Sequence, residues 1–234
     1  VAGTRNVIQA CRKHGIKRLI FTSSSSVIAN GHDLSGVDES VPYPKRFKAC
    51  YPATKAEAER MVLAANSPAL GTIALRPHLI WGPGDNQFLP RLAASSRAGK
   101  LRRIGDRPCL VDSTYIDNAA DAHLLAADCL DTALAAAGKA YFISNGEPLP
   151  LWDLVNRLLE AVGAPKVTRS ASPKGVYAAG LLLEAAYRVL PLRGEPRMTR
   201  FLSDELSTSN WFDLTAAKRD LGYQPNVTVA GGLE

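Results

Sequence analysis

The stretch IKRLIFTSSSSVIANG, residues 16–31, decides how the rest of the chain is read. Its first part, IKRLIF, is short and rich in Ile, Leu and Phe, the pattern of a strand buried on both faces. Four serines follow without a break. A strand that runs into a polar turn puts that turn at its carboxyl end, where parallel α/β sheets keep their active sites. The same four hydroxyls also suit a turn that caps its own backbone. A base elsewhere in the chain has to separate these two readings.

Working outward, TRNVIQACRKHG (4–15) carries apolar residues at helical spacing and closes on Gly15. After the serines, residues 30–51 are polar and turn-rich, and they read as a long loop without periodicity, more often functional than idle. YPATKAEAERMVLAANS (51–67) is a strong helix with Pro52 in its first turn, and GTIALRP (71–77) is a second strand stopped by Pro77. GPGDNQFLPRLAASSRAGK (82–100) reads as a turn and a helix, with Asp85 a turn acid. IDNAADAHLLAADCLD (116–131) reads as a helix with Asp117 in its first turn. AYFIS (140–144) and LPLWDLVNRLLEAVG (149–163) repeat strand and helix. A very apolar helix at 176–190 follows, then a loop rich in Arg and Pro, then an extended piece and a helix in NWFDLTAAKRDLGY (210–223), capped by Asp213. Strands alternating with helices predict an α/β fold with a mostly parallel sheet covered on both faces.

Composition narrows the function classes. With 46% hydrophobic and 21% charged residues in 234, the chain is an ordinary globular protein. Its four cysteines and four histidines are scattered, which suggests neither a disulfide framework nor a metal site, and a reducing cytoplasm is the default location. The net charge of +6 is spread in groups such as CRKHGIKR and AGKLRRIGDR, with no aromatic interleaving. An anionic cofactor or substrate accounts for it better than nucleic acid does. The helix at 176–190 is interrupted by Glu184 and Arg188; it reads as a packing helix, a lid over an apolar pocket, or a surface in peripheral contact with lipid.

Tyr51 and Lys55 stand four apart on one helical face. A tyrosine ordinarily titrates near pH 10, and a neighbouring ammonium favours its phenolate, so the pair suits proton transfer near neutrality. A serine hydroxyl from the turn at 23–26 supplies the third group, holding the substrate oxygen. These three suit hydride exchange at a carbinol or carbonyl carbon with a nicotinamide. YxxxK alone is a weak signal. The strand that ends in serines, and a second strand ending in LRPHLI, strengthen it.

At this point the chain resembles the extended short-chain dehydrogenases/reductases, in particular their 3β-hydroxysteroid dehydrogenase branch. The matching pieces are GTRNVIQAC, RLIFTSSSSV, DESVPY, YPATKAEAE, LRPHLIWGPGD, STYIDNAADAHLLA, YFISNGEPL and FDLTAAKRDLGYQP, spread over nearly the whole sequence. In tone it is similar to bacterial enzymes reducing 2-alkyl-3-oxoalkanoic acids and to sterol 4-carboxylate 3-dehydrogenases. The resemblance implies an incomplete Rossmann-like, doubly wound sheet over 1–145, with 77–115 also serving the substrate. A smaller, mostly helical substrate-binding region over 146–234 completes it. It implies that Ser24, three before Val27, is the catalytic hydroxyl, with Tyr51 and Lys55 beside it. Thr22, Ser23, Tyr51, Lys55, Pro77, His78 and Leu79 become the cofactor contacts, the cofactor being NAD or NADP. Ser25, His78, Arg91 and Arg102 become pocket candidates for a bulky apolar substrate, with or without a carboxylate. Asn6 is implied to be structural, and Tyr115, Asp117 and Asn118 to orient the helix they open. The helices at 3–14 and 51–65 correspond to a dimerising pair.

Two departures accompany this. No GxxGxxG turn or ribose-holding acid is present, so the glycine-rich unit is expected to precede Val1. The chain also stops at GGLE where relatives continue in a helix, so the region over 146–234 is expected to be truncated at its end and the chain to be part of a longer product. Two rivals share the fold: a nucleotide-sugar epimerase or dehydratase, and a non-catalytic sensor domain. Dehydratases commonly place Asp-Glu where Ser25-Ser26 stands.

Overall fold

The computed structural model describes residues 1–132, 134–190, 194, 196 and 198–234. Positions 191–193, 195 and 197, within the loop rich in Arg and Pro, lie outside the described residues. In chain order the elements are α1 (Ala2–Lys13), β1 (Arg18–Thr22), β2 (Leu34–Val37), α2 (Cys50–Ala64), β3 (Gly71–Pro77), β4 (Ile80–Trp81), α3 (Phe88–Arg97), β5 (Arg103–Ile104), β6 (Leu110–Val111) and β7 (Thr114–Tyr115). Then come α4 (Ile116–Thr132), β8 (Lys139–Ile143), β9 (Leu149–Pro150), α5 (Leu151–Ala161), β10 (Ser170–Ala171), α6 (Pro173–Val189), α7 (Arg200–Glu205), β11 (Asn210–Phe212) and α8 (Thr215–Leu221).

The chain is α/β, as expected. β1, β3 and β8 form a parallel sheet in that order, Arg18 facing Gly71 and Ile73 facing Lys139. Every residue of β3 is buried, as a central parallel strand with both faces covered must be. Helices α2 and α4 pack on this sheet, and Val27, Ala56, Ile73, Leu75, Ala126 and Phe142 share one core. Each large side chain fully buried there contributes about 1.5–3 kcal/mol. α1 closes a smaller core with α2 through Ile8, Cys11 and Val62.

A second sheet, ordered β2-β11-β6-β9, departs from the expectation of a structureless loop over 30–51. LSGV is too short to show periodicity, and it becomes a strand only because β11 arrives beside it from the far end of the chain. Asp213 accepts the N–H of Thr215 at 2.8 Å, so the expected acid stands at the start of α8.

α5 and α6 are both rich in leucine and differ in use. α5 buries Leu151, Leu154, Val155, Leu158 and Leu159 in a core shared with Trp81 and Val229. α6 buries only Gly180 among its seventeen residues. A Cβ there would stand 2.8 Å from the carbonyl carbon of Thr199, so the glycine permits the close approach of α6 to the start of α7. The outward residues Leu181, Leu182, Leu183 and Val189 are exposed, Val189 to 81%.

Candidate active site

The site forms where β1 gives out. The ladder to β3 ends with Thr22 opposite Leu75, and one more bond, Ser23 N–H to the Leu75 carbonyl at 2.7 Å, carries the backbone into the serine turn. Ser24 is extended (φ −161°, ψ 147°), and Ser25–Ile28 form a short 3-10 turn behind it. Ser24 Oγ accepts from the Ser26 N–H at 3.2 Å and from the Ser26 hydroxyl at 2.9 Å. Both of its lone-pair directions are therefore engaged, and its own proton is what it can offer outward.

α2 brings Tyr51 and Lys55 to the same place. Tyr51 is 53% exposed, unusual for so large an apolar ring, and it lines the cleft. Lys55 Nζ donates to the Thr22 carbonyl at 2.7 Å and stands 5.1 Å from the centre of the Phe21 ring. Burial pushes its pKa down, with Glu59 opposing.

One turn further along α2, Glu59 is fully buried and receives Arg76 of β3 in a two-pronged pair, Nη2 to Oε1 at 2.7 Å and Nε to Oε2 at 3.1 Å. Tyr43, from the loop before α2, also donates to Glu59, and its own pKa is pushed up to about 12 by burial and by that carboxylate. This pair fixes the register of the helix carrying Tyr51 against the strand leading to Pro77. Removing one partner of such a buried pair costs about 3–5 kcal/mol.

The cleft measures about 560 Å³ and is lined by Thr22, Ser23, Ser24, Tyr51, Lys55 and Pro77, with Leu79, all of residues 80–88 and Ile116. Leu79 sits at φ +45°, a left-handed conformation that costs a branched residue about 1–3 kcal/mol. Gly82 at φ +146° turns against Ile116, where a Cβ would lie 2.5 Å from Ile116 Cγ2. Asp85 accepts from the N–H groups of Gln87, Phe88 and Leu89 at 2.7–2.9 Å, the turn role read for it. Ser23 Oγ is buried beside the cleft with no partner among the described residues.

Thus Thr22, Ser23, Ser24, Tyr51, Lys55, Pro77 and Leu79 come together around one cleft. Four other candidates stand elsewhere. His78 turns under it: its Nδ1 meets Ser25 Oγ at 2.7 Å and its ring meets Phe212 edge-on at 5.5 Å. Burial pulls the His78 pKa down to about 4. Ser25 is correspondingly buried and does not line the cleft. Arg91 is exposed on α3, and Arg102 borders a separate groove with Lys166 and Arg169.

Asn118 stands in the first turn of α4. Fully buried, it donates to Asn145 Oδ1 and the Val227 carbonyl and accepts from the N–H groups of Asn226 and Val227. Asn6 is exposed on α1. Sequence reading missed Trp81, Gly82 and Ile116 as lining residues, and it passed over His123 as an ordinary helix residue. The PGD turn after Trp81 was the available signal for the first two.

Residues 1–172 match the 3-beta hydroxysteroid dehydrogenase/isomerase family. The chain is 54% identical to the 2-alkyl-3-oxoalkanoate reductase of Stenotrophomonas maltophilia, covering 100% of this chain and 71% of that protein. It is 46% identical to the protein of the same description from Shewanella oneidensis, covering 100% of this chain and 62% of the relative. With 3beta-hydroxysteroid-dehydrogenase/decarboxylase isoform 1 of Arabidopsis thaliana it shares 40% identity over 100% of this chain and 55% of the relative. Among solved structures it resembles the UDP-glucuronic acid 4-epimerase from Bacillus cereus in complex with NAD. The TM-score is 0.69 at 21% identity, over 99% of this chain and 63% of that one, a likeness of fold.

Proposed function

The chain belongs to the 3-beta hydroxysteroid dehydrogenase/isomerase family, and on that premise we propose that it carries the catalytic centre of an NAD- or NADP-dependent oxidoreductase. It interconverts a secondary alcohol and a ketone on a bulky apolar 3-hydroxy or 3-oxo acid. The unpartnered Ser23 hydroxyl, buried beside a cleft that also presents Tyr51, Lys55 and Ser24, carries this reading. A buried hydroxyl without a partner costs about 1–3 kcal/mol, and a polar ligand in the cleft offsets that cost. The residues present fit a nicotinamide and its ribose: Thr22, Ser23, Tyr51, Lys55, Pro77 and Leu79 would hold it. When bound, the nicotinamide supplies or accepts a hydride.

The chain's own groups manage the oxygen and the proton. Ser24 donates its remaining proton to the substrate oxygen and so fixes it beside Tyr51. In reduction Tyr51 gives that oxygen a proton, and in oxidation it removes one. Lys55 sets a positive charge next to the phenol and is itself held by the Thr22 carbonyl. Glu59 and Arg76 keep the tyrosine in place.

The substrate class follows the 2-alkyl-3-oxoalkanoate reductases to which the chain is most alike among the relatives described above. Where a dehydratase would have Asp-Glu this chain has Ser25 and Ser26, which are turned inward on His78 and Ser24. Three further parts of the proposal are division into a catalytic part over 1–145 and a substrate region over 146–234, a homodimer through α1 and α2, and a cytoplasmic location. The last includes peripheral membrane contact through 176–190. The exposed face of α6 supports that contact, and among the described residues no helix is long and apolar enough to cross a membrane.

The test is nicotinamide oxidation by the full-length protein with a 2-alkyl-3-oxoalkanoate, followed by absorbance. Turnover that collapses in Tyr51→Phe and Ser24→Ala, with dinucleotide affinity kept within about threefold, supports the reading. Unchanged turnover in both variants overturns it.

A further inference from the structure

Beneath the cleft a short chain of hydrogen bonds joins three elements that the reaction needs in register. His123 lies on α4, and its Nδ1 is 2.7 Å from the Ala119 carbonyl one turn earlier. A carbonyl oxygen only accepts, so Nδ1 carries the proton and Nε2 of the neutral ring is an acceptor. That Nε2 lies 2.7 Å from Thr22 Oγ1, whose hydroxyl therefore donates to it. The carbonyl of the same Thr22 receives the ammonium of Lys55 at 2.7 Å.

Thr22 is the last residue of β1, and it is exposed. The contacts that Lys55 makes, the Thr22 carbonyl and the Phe21 ring, both come from this strand end. A strand end is where backbone frays unless a side chain holds it. His123 is the side chain that reaches it from the neighbouring helix, itself fastened one turn back by its other nitrogen.

We infer that His123 is a positioning residue for the active site: through the Thr22 hydroxyl it fixes the Thr22 carbonyl, and through that carbonyl the ammonium of Lys55. This rests on the reading of Lys55 as part of the catalytic group. His123 itself does not line the cleft. Its contribution is geometric, and it falls on the step that uses Tyr51 and Lys55 rather than on the apolar part of the substrate site.

Two amide variants of the full-length protein separate this role from simple packing. Asn at 123 retains a donor near Nδ1 and loses the reach to Thr22. Gln places its amide near Nε2. In His123→Asn, kcat falls about ten- to thirtyfold, KM for the 3-oxo substrate stays within about twofold, and dinucleotide Kd by fluorescence titration rises several-fold. His123→Gln restores most of each loss. Thr22→Val behaves as His123→Asn does, and the double variant is no worse than either single one. If His123→Asn does not fold, His123→Leu, which keeps bulk and removes the acceptor, carries the same test. Parent-like kinetics and affinity in His123→Asn or Thr22→Val overturn the inference, and so does additivity in the double variant. A lowered melting temperature with kcat and Kd kept also overturns it, because it marks a packing contact. If Tyr51→Phe and Ser24→Ala lose turnover while the His123 series is silent, the functional reading stands and this inference alone fails.

Discussion

The lining contributed by β1 and α2 and the lining contributed by residues 79–88 reach the same cleft by different means. In the first, polar bonds hold the chemical groups: Ser24 is held by Ser26, Lys55 by the Thr22 carbonyl, and the helix that carries Tyr51 by the buried pair of Glu59 and Arg76. In the second, a strained Leu79, two glycines at positive φ and an acid-capped turn set a shape, and the Trp81 ring meets Tyr115 edge-on at 5.2 Å. On the proposed function, one lining is held so that a proton moves between fixed atoms. The other is a contour, and contours are where substrate selection is made.

The largest effects should therefore separate rate from fit. Tyr51→Phe lowers kcat about a thousandfold and Ser24→Ala about a hundredfold, each with little change in KM, measured by steady-state kinetics on the full-length protein. Replacement of Phe88 by alanine in the contour raises KM more than it lowers kcat. A reversed pattern would break the division of labour.

Gly82→Ala sharpens it from the side of stability. The added Cβ meets Ile116 in a backbone conformation few side chains adopt, so urea unfolding should show a loss of about 1–3 kcal/mol. Dinucleotide affinity should change less, because the groups proposed to hold the ribose lie on the other lining.

A smaller effect comes from the underside of the serine turn. His78 is held neutral down to about pH 4, below its ordinary value of 6.5. The unfolded chain binds the extra proton first, so this histidine's contribution is fully present above about pH 6.5. It is lost as pH falls toward about 4. Asp112 acts in the opposite sense, because burial pushes its carboxyl up to about 6. The informative quantity is the stability difference between the parent and His78→Asn, which should shrink on acidification from pH 7 to pH 4.5 (about the span between the two values).

The smallest change in stability is expected in α6. Leu182→Glu should alter unfolding free energy by no more than about 0.5 kcal/mol, because Leu182 is 71% exposed. The same variant should lose sedimentation with phosphatidylglycerol vesicles if the helix lies on a membrane. Retained sedimentation would remove that part of the functional proposal.

How much of this was legible in the sequence follows from distance along the chain. The strand entering the serines, the helix with Tyr51 and Lys55, and the strand stopped by Pro77 are local patterns, and each element stands where its pattern put it. The expected burial of the first strand on both faces does not hold: β1 is half-buried with exposed ends, because it has a strand neighbour on one side alone among the described residues. β2 was not legible, because a four-residue strand has no signature until β11 pairs with it across about 175 residues. The link from Thr22 to His123 spans 101 positions and was invisible for the same reason. The position of His78 was misleading for a different one. A residue between Pro77 and Leu79 belongs to the cleft loop by sequence, yet its side chain points into the protein, where Ser25 and Phe212 receive it.

The order β1-β3-β8 leaves one side of β1 without a neighbouring strand among the described residues. Its amides and carbonyls there form a row five residues long, bordered by Arg18, which is paired with Asp131. Such a row is a template for any extended peptide that reaches it. For anyone preparing this stretch of protein alone, the hazard is self-association through main-chain pairing at that edge, with solubility governed by concentration rather than by net charge. A charged substitution at Ile20 or Thr22 would be a poor remedy, since the same five residues present the serine turn.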